Sequence, residues 1–137
     1  MTRITGVIFS DLGRAASFMA LAAVQRALRE SLGFAPFPAT LNVRPQYTDD
    51  SATWSRLRAV SAGRPLAIAE PGFCSARLYP VVISRAIGAR DERIDGAVIV
   101  PEVDDYPSEK IEIVAPVGLK QHWGVSDGDA LTLEFST

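Results

Sequence analysis

Cysteine and histidine are almost missing from this chain, with Cys74 and His122 each standing alone among 137 residues. One cysteine cannot close an intramolecular disulfide, which suits a reducing compartment, and a lone free thiol is most often a buried structural group. A zinc site built from cysteine and histidine ligands is excluded. No Ser, Cys or Asp stands in a motif that would make His122 a catalytic base, and it reads as structural. Long apolar runs are also missing. No stretch of about 18 apolar residues crosses a bilayer, and no charged leader with an apolar core opens the sequence. The expectation is a cytoplasmic protein without a membrane partner. A basic surplus is absent too: 14 Lys and Arg face 16 Asp and Glu, for a net charge of -2 and a pI of about 5.4. Duplex binding normally needs the opposite balance, so no nucleic-acid partner is expected.

What remains is the material of an ordinary globular domain, 47% hydrophobic and 22% charged. The length suits one domain over residues 1–137. The order of elements is β-rich. Ile4 to Ser10 reads as a strand ending at Asp11, Leu12 and Gly13. From Ala15 to Leu32, Phe18, Leu21, Val24, Leu28 and Leu32 recur at helical spacing, and Gly33 sits where a left-handed stop is expected. Phe34 to Pro38 is a stiff approach to a strand that begins near Thr40. Tyr47 to Ala62, with Trp54, Leu57 and Val60 at helical spacing, reads as a short helix or ordered loop. Pro65 to Glu70, Phe73 to Ser84 and Ile94 to Pro101 are strands, with Pro80 implying an edge or bend and Gly96 a bulge or a close approach. Ile111 to Ala115 and Leu131 to Phe135 complete the strands, Leu119 to Trp123 forms a helical turn, and Asp127 to Asp129 form a turn. Many short strands with one substantial α-helix and no strand-helix alternation argue for a mainly β fold, a closed or nearly closed β-barrel.

Three groups of residues bear on chemistry. Gly13 lies between a strand and a helix, where freed backbone N–H groups and Arg14 suit an anion, although a turn there needs glycine on steric grounds alone. Thr40 and Asn42, one residue apart in an extended segment, point to one side and offer two hard oxygen ligands for Mg²⁺; the same groups also serve to satisfy loop backbone. Asp104, Asp105 and Tyr106, followed by Pro107 and by Glu112, form an acidic cluster around a turn, a composition common to solvated loops.

Taken in order, several segments resemble the CTP-dependent riboflavin kinase family of archaea: Gly6 to Gly13 (GVIFSDLG), Gly33 to Arg44 (GFAPFPATLNVR), Tyr79 to Ile83 (YPVVI), Gly96 to Pro101 (GAVIVP), Tyr106 to Leu119 (YPSEKIEIVAPVGL) and Val125 to Asp129 (VSDGD). Pro45 to Gly72 carries no likeness. The most specific mark is Pro38-Ala39-Thr40-Leu41-Asn42, similar to the family's Pro-Gly-Thr-Leu-Asn. The resemblance implies a six-stranded, cradle-loop type barrel that transfers a phosphoryl group from CTP to riboflavin, with Mg²⁺ held by Thr40 and Asn42. It implies nucleotide binding by Asp11, Leu12, Gly13, Arg14, Ala15 and Ala16, and by Val117, Gly118, Leu119 and Lys120. It implies flavin contacts at Glu112 and at Asp104. No catalytic base is assigned. Asp11 and Ala15 stand where the family has glycines, Ala39 replaces the motif glycine, and Asp104 takes the place of a threonine. These departures keep open a second reading, a non-catalytic flavin- or nucleotide-binding module on the same barrel, and behind it a DNA-binding or structural barrel. In the kinase reading the threonine-asparagine pair lies at the mouth of the barrel.

Overall fold

The computed structural model describes residues 2–11, 18–60, 63–68, 75–87 and 90–136, and the side chains of residues 86, 87 and 90 stay outside that description. Seven strands form one antiparallel sheet: β1 (Thr2–Ile8), β2 (Leu41–Pro45), β3 (Arg64–Leu66), β4 (Ala76–Ile87), β5 (Arg90–Pro101), β6 (Ile111–Val114) and β7 (Ala130–Phe135). Their order is β3-β4-β5-β6-β2-β1-β7, and a further β4–β7 pairing closes six of them into a barrel, with β3 as an added edge. The mainly β reading and the small six-stranded barrel both hold.

Closure depends on one long strand. Along one edge β4 pairs with β5 throughout, from Ala76 opposite Pro101 to Ile87 opposite Arg90. Along its other edge it serves two partners: Arg64 to Leu66 of β3 oppose Leu78 to Ala76, whereas Val81 to Ser84 pair with Phe135 to Thr132 of β7. Pro80 falls at this changeover, where a residue without an N–H is tolerated. The strand runs through it unbroken, so the expected edge is local. Gly96 shows close approach without a bulge, because a Cβ there would meet the Val114 carbonyl oxygen at 2.5 Å and Ile83 Cδ1 at 2.7 Å.

Strand alternation sorts the apolar residues into two cores. Ile4, Ile8, Val43, Val81, Ile83, Val98, Ile111, Ile113, Leu131 and Leu133 fill the interior. Helix α2 (Thr48–Ala59) adds Trp54 and Leu57, and helix α3 (Leu119–Trp123) adds Leu119 and Trp123. Trp54 meets Tyr79 edge-on at 5.4 Å and Phe135 at 5.8 Å, while the Trp123 carbonyl accepts a hydrogen bond from Arg85. Tyr79 and Arg85 lie toward opposite ends of β4, so the two helices close opposite ends of the barrel. Asp50 ties α2 down, accepting from the Thr5 N–H at 3.0 Å and the Tyr47 N–H at 3.1 Å.

The second core lies outside the barrel. Ala76, Leu78, Ala97, Ile99 and Val114 project outward beneath Met19, Val24 and Leu28. Helix α1 covers Ala22–Leu32 and stops at Gly33, whose φ of 81° is the predicted left-handed cap. The longer helix from Ala15 is not realised among the described residues. Leu21 is extended, at φ -67° and ψ 138°, and 41% exposed. Spacing alone put it on the buried stripe, but the backbone break rotates it away from Val24 and Leu28. Val60 likewise leaves the apolar face of α2 and is exposed.

Candidate active site

Two carboxylates are buried among the described residues, Glu134, which pairs with Arg3 and Arg93, and Glu112. The Glu112 neighbours Ile111 and Ile113 point into the barrel, as do Leu41 and Val43 of the paired strand, so Glu112 and its cross-strand partner Asn42 face outward. The threonine-asparagine pair is therefore on the outer wall, not at the mouth of the barrel, since strand alternation spends the odd positions on the core. Glu112 is nonetheless only 7% exposed. A buried carboxylate needs partners, and three donors converge on it. Thr40 Oγ1 donates to Oε2 at 3.1 Å, Tyr106 Oη donates to Oε1 at 2.7 Å, and Lys110 Nζ lies 3.5 Å from Oε1. Asn42 Oδ1 is buried without a hydrogen-bond partner among the described residues.

Lys110 extends the network to the chain leaving β1, with its Nζ 2.5 Å from Asp11 Oδ2. Burial alone would lower the Lys110 pKa, but the Asp11 and Glu112 carboxylates outweigh it and raise the value above the ordinary lysine range. Burial, followed by the charge and hydrogen bond of Glu112, pushes Tyr106 far above the usual phenol value, so its hydroxyl remains a donor.

A second polar cluster adjoins the first at Ser10. Ser10 Oγ donates to Asp127 Oδ2 at 2.6 Å, and Lys120 Nζ donates to Asp127 Oδ1 at 3.0 Å and to Ser10 Oγ at 3.3 Å. These bonds, Ser10 first and Lys120 next, lower the pKa of the exposed Asp127. The start of α3 is covered by Phe37, whose N–H donates to the Ala115 carbonyl at 2.8 Å. A Cβ at Gly118 would lie 3.0 Å from the Phe37 ring, so glycine there lets the aromatic lie flush.

The structure thus brings together Thr40, Asn42, Glu112 and Asp11, with Lys120 in the adjoining cluster. Val117 and Gly118 are half-buried at the start of α3, and the Leu119 side chain is committed to the interior core, leaving its backbone for any ligand. Asp104 is exposed in the loop between β5 and β6, without a hydrogen bond or ion pair among the described residues, and does not join the Glu112 network. Leu12, Gly13, Arg14, Ala15 and Ala16 lie outside the described residues. Sequence reasoning assigned no role to Tyr106 or Lys110. The signal for Lys110 was its two-residue spacing from Glu112 at a strand start, which puts both on one side.

No group of three or more His, Cys, Asp or Glu that could hold a metal occurs among the described residues. The Thr40 hydroxyl and the unpartnered Asn42 carbonyl oxygen nevertheless offer two oxygen donors, the ligand type suited to a hard cation that shares phosphate oxygens and keeps water.

These features define a closed antiparallel barrel carrying a carboxylate-centred polar site on its outer wall. The chain belongs to the CTP-dependent riboflavin kinase family, described as Domain of unknown function DUF120, whose model matches residues 8–135. Among similar proteins are the riboflavin kinase of Pyrobaculum arsenaticum, 38% identical over 96% of this chain and 60% of its own length, and that of Archaeoglobus fulgidus, 32% identical over 96% and 54%. The riboflavin kinase of Methanosarcina mazei is 34% identical over 96% of this chain and 56% of its own length. The chain spans about 60% of the first of these relatives. No helix among the described residues is long and apolar enough to cross a membrane.

Proposed function

We propose that this barrel is a riboflavin kinase that transfers the γ-phosphoryl group of CTP to the terminal ribityl hydroxyl of riboflavin, giving FMN and CDP. The observation that carries the reading is the convergence on one wall of Thr40, the unpartnered Asn42 Oδ1 and the buried Glu112, within a chain related to proteins called riboflavin kinases. Thr40 and Asn42 would hold Mg²⁺, which when bound neutralises charge on the phosphate oxygens. Glu112 orients the acceptor. Its two oxygens offer about four acceptor positions, and among the described residues three donors are near it and Oε2 receives Thr40 alone. A hydroxyl placed there is aimed by its own hydrogen bond. The hydroxyl oxygen bonds to the γ-phosphorus as the bond from that phosphorus to the bridging oxygen of CDP breaks, and the hydroxyl proton moves toward Glu112. Transfer of this kind depends mainly on alignment and charge neutralisation.

Purified protein incubated with Mg²⁺, riboflavin, and CTP or ATP in parallel should yield FMN on chromatographic separation, with CTP the better donor. Thr40→Ala and Asn42→Ala should each raise the Mg²⁺ concentration needed for half-maximal rate by about tenfold, a loss typical of one ligand or its support. Riboflavin binding with no FMN from either nucleotide would reject catalysis and leave a binding module.

A further inference from the structure

Asp11 brings a carboxylate to the first position of the segment proposed to bind the nucleotide, and an uncompensated charge there would oppose a triphosphate. One partner of Asp11 is Lys110, which reaches from the β5–β6 loop to within 2.5 Å of Asp11 Oδ2 and 3.5 Å of Glu112 Oε1. The lysine side chain is 20% exposed, and the aromatic face of Tyr106, 5.8 Å from Nζ, limits where the ammonium can move. Two carboxylates from different parts of the fold thus share one cation.

We infer that Lys110 is the positioning residue of this site: by pairing with Asp11 and Glu112 at once it cancels the charge that Asp11 brings and holds Glu112 in line with Thr40. The inference rests on the nucleotide-binding reading. It assigns Lys110 no direct role in phosphate binding, so its value to the ligand depends on Asp11 being present. With Asp11 gone, Lys110 still pairs with Glu112, but the charge that opposed the nucleotide is no longer there to offset.

A double-mutant cycle on the full chain isolates this dependence. Binding of CTP with Mg²⁺ is measured by titration calorimetry for the parent, Lys110→Ala, Asp11→Ala and the double variant, at low and high salt. Lys110→Ala should weaken CTP about tenfold when Asp11 is present, the scale of one like-charge contact in a partly wet site, and less than about twofold when Asp11 is alanine. The coupling should shrink at high salt, and Lys110→Arg should retain most of the affinity. Lys110→Gln, a polar replacement of similar reach, repeats the comparison should the alanine variant fold poorly. Equal losses with and without Asp11 would overturn the inference while leaving the kinase reading intact. A parent protein that binds no CTP would sink both.

Discussion

Glu112 illustrates how a single side chain acquires a role through its surroundings. On a β-strand it occupies an outward position between two isoleucines of the interior core, and its near-complete burial is offset by the Thr40, Tyr106 and Lys110 donors. A hydrogen bond to a charged acceptor contributes about 1.5–3 kcal/mol. Glu112→Gln keeps the shape and replaces one acceptor oxygen with a donor that faces the Thr40 hydroxyl or the Tyr106 hydroxyl. It should therefore weaken riboflavin binding by about tenfold to a hundredfold, as read by quenching of flavin fluorescence, while the circular dichroism spectrum stays that of the parent. An unchanged dissociation constant would remove Glu112 from the site. The resemblance made this residue legible in the sequence, together with Thr40 and Asn42. The Lys110–Asp11 contact was not legible, because it joins residues 99 positions apart and depends on how the chain after β1 folds back over the barrel wall.

At the scale of elements, position within the barrel governs what each segment tolerates. Gly96 is the clearest case. On β5 it faces the backbone of β6, and its missing side chain lets the Val114 carbonyl approach to 2.5 Å from where a Cβ would stand. The obstructing atom is main chain and cannot rotate aside, so Gly96→Ala must separate β5 from β6 and also shift Ile83. Overpacking of this kind costs about 1–3 kcal/mol, and urea unfolding of the variant should show a loss in that range with the slope unchanged. A stability equal to that of the parent would mean that the strands part without cost. Strands are readable from β-rich runs and glycine punctuation, and the helix Thr48–Ala59 from apolar spacing at Trp54 and Leu57. The helix before Gly33 was over-extended, because periodicity includes Leu21 but carries no information on the backbone angles that turn it to solvent. Pro80 implies an edge or a bend, and the structure gives a local edge within an unbroken strand. Its reason, an exchange of neighbours along β4, exists only once the sheet is closed.

For the molecule as a whole, closure places several ionisable groups in drier surroundings than an open chain provides, and this shapes stability at high pH. Burial raises the pKa of Tyr79, and burial with the Glu112 charge raises that of Tyr106, from an ordinary value of 10.0. Lys110 is raised from 10.5, its carboxylate partners overriding the opposing effect of burial. All three groups hold a proton more tightly when folded than when unfolded. Each contribution is complete below the unfolded pKa and is lost as the pH climbs from there toward the folded value, because the unfolded chain then binds fewer protons. The alkaline side of the stability curve should accordingly fall from about pH 10 upward, by roughly 1–2 kcal/mol over the first unit or so. Urea titrations at successive pH values will show this as a falling midpoint. Tyr106→Phe removes one of the three groups and should flatten the decline above pH 10, even though the variant loses the Glu112 hydrogen bond and is less stable than the parent near neutrality. A decline equally steep in both proteins would show that the Tyr106 proton contributes nothing to the alkaline limit, and that the fall arises elsewhere in the barrel.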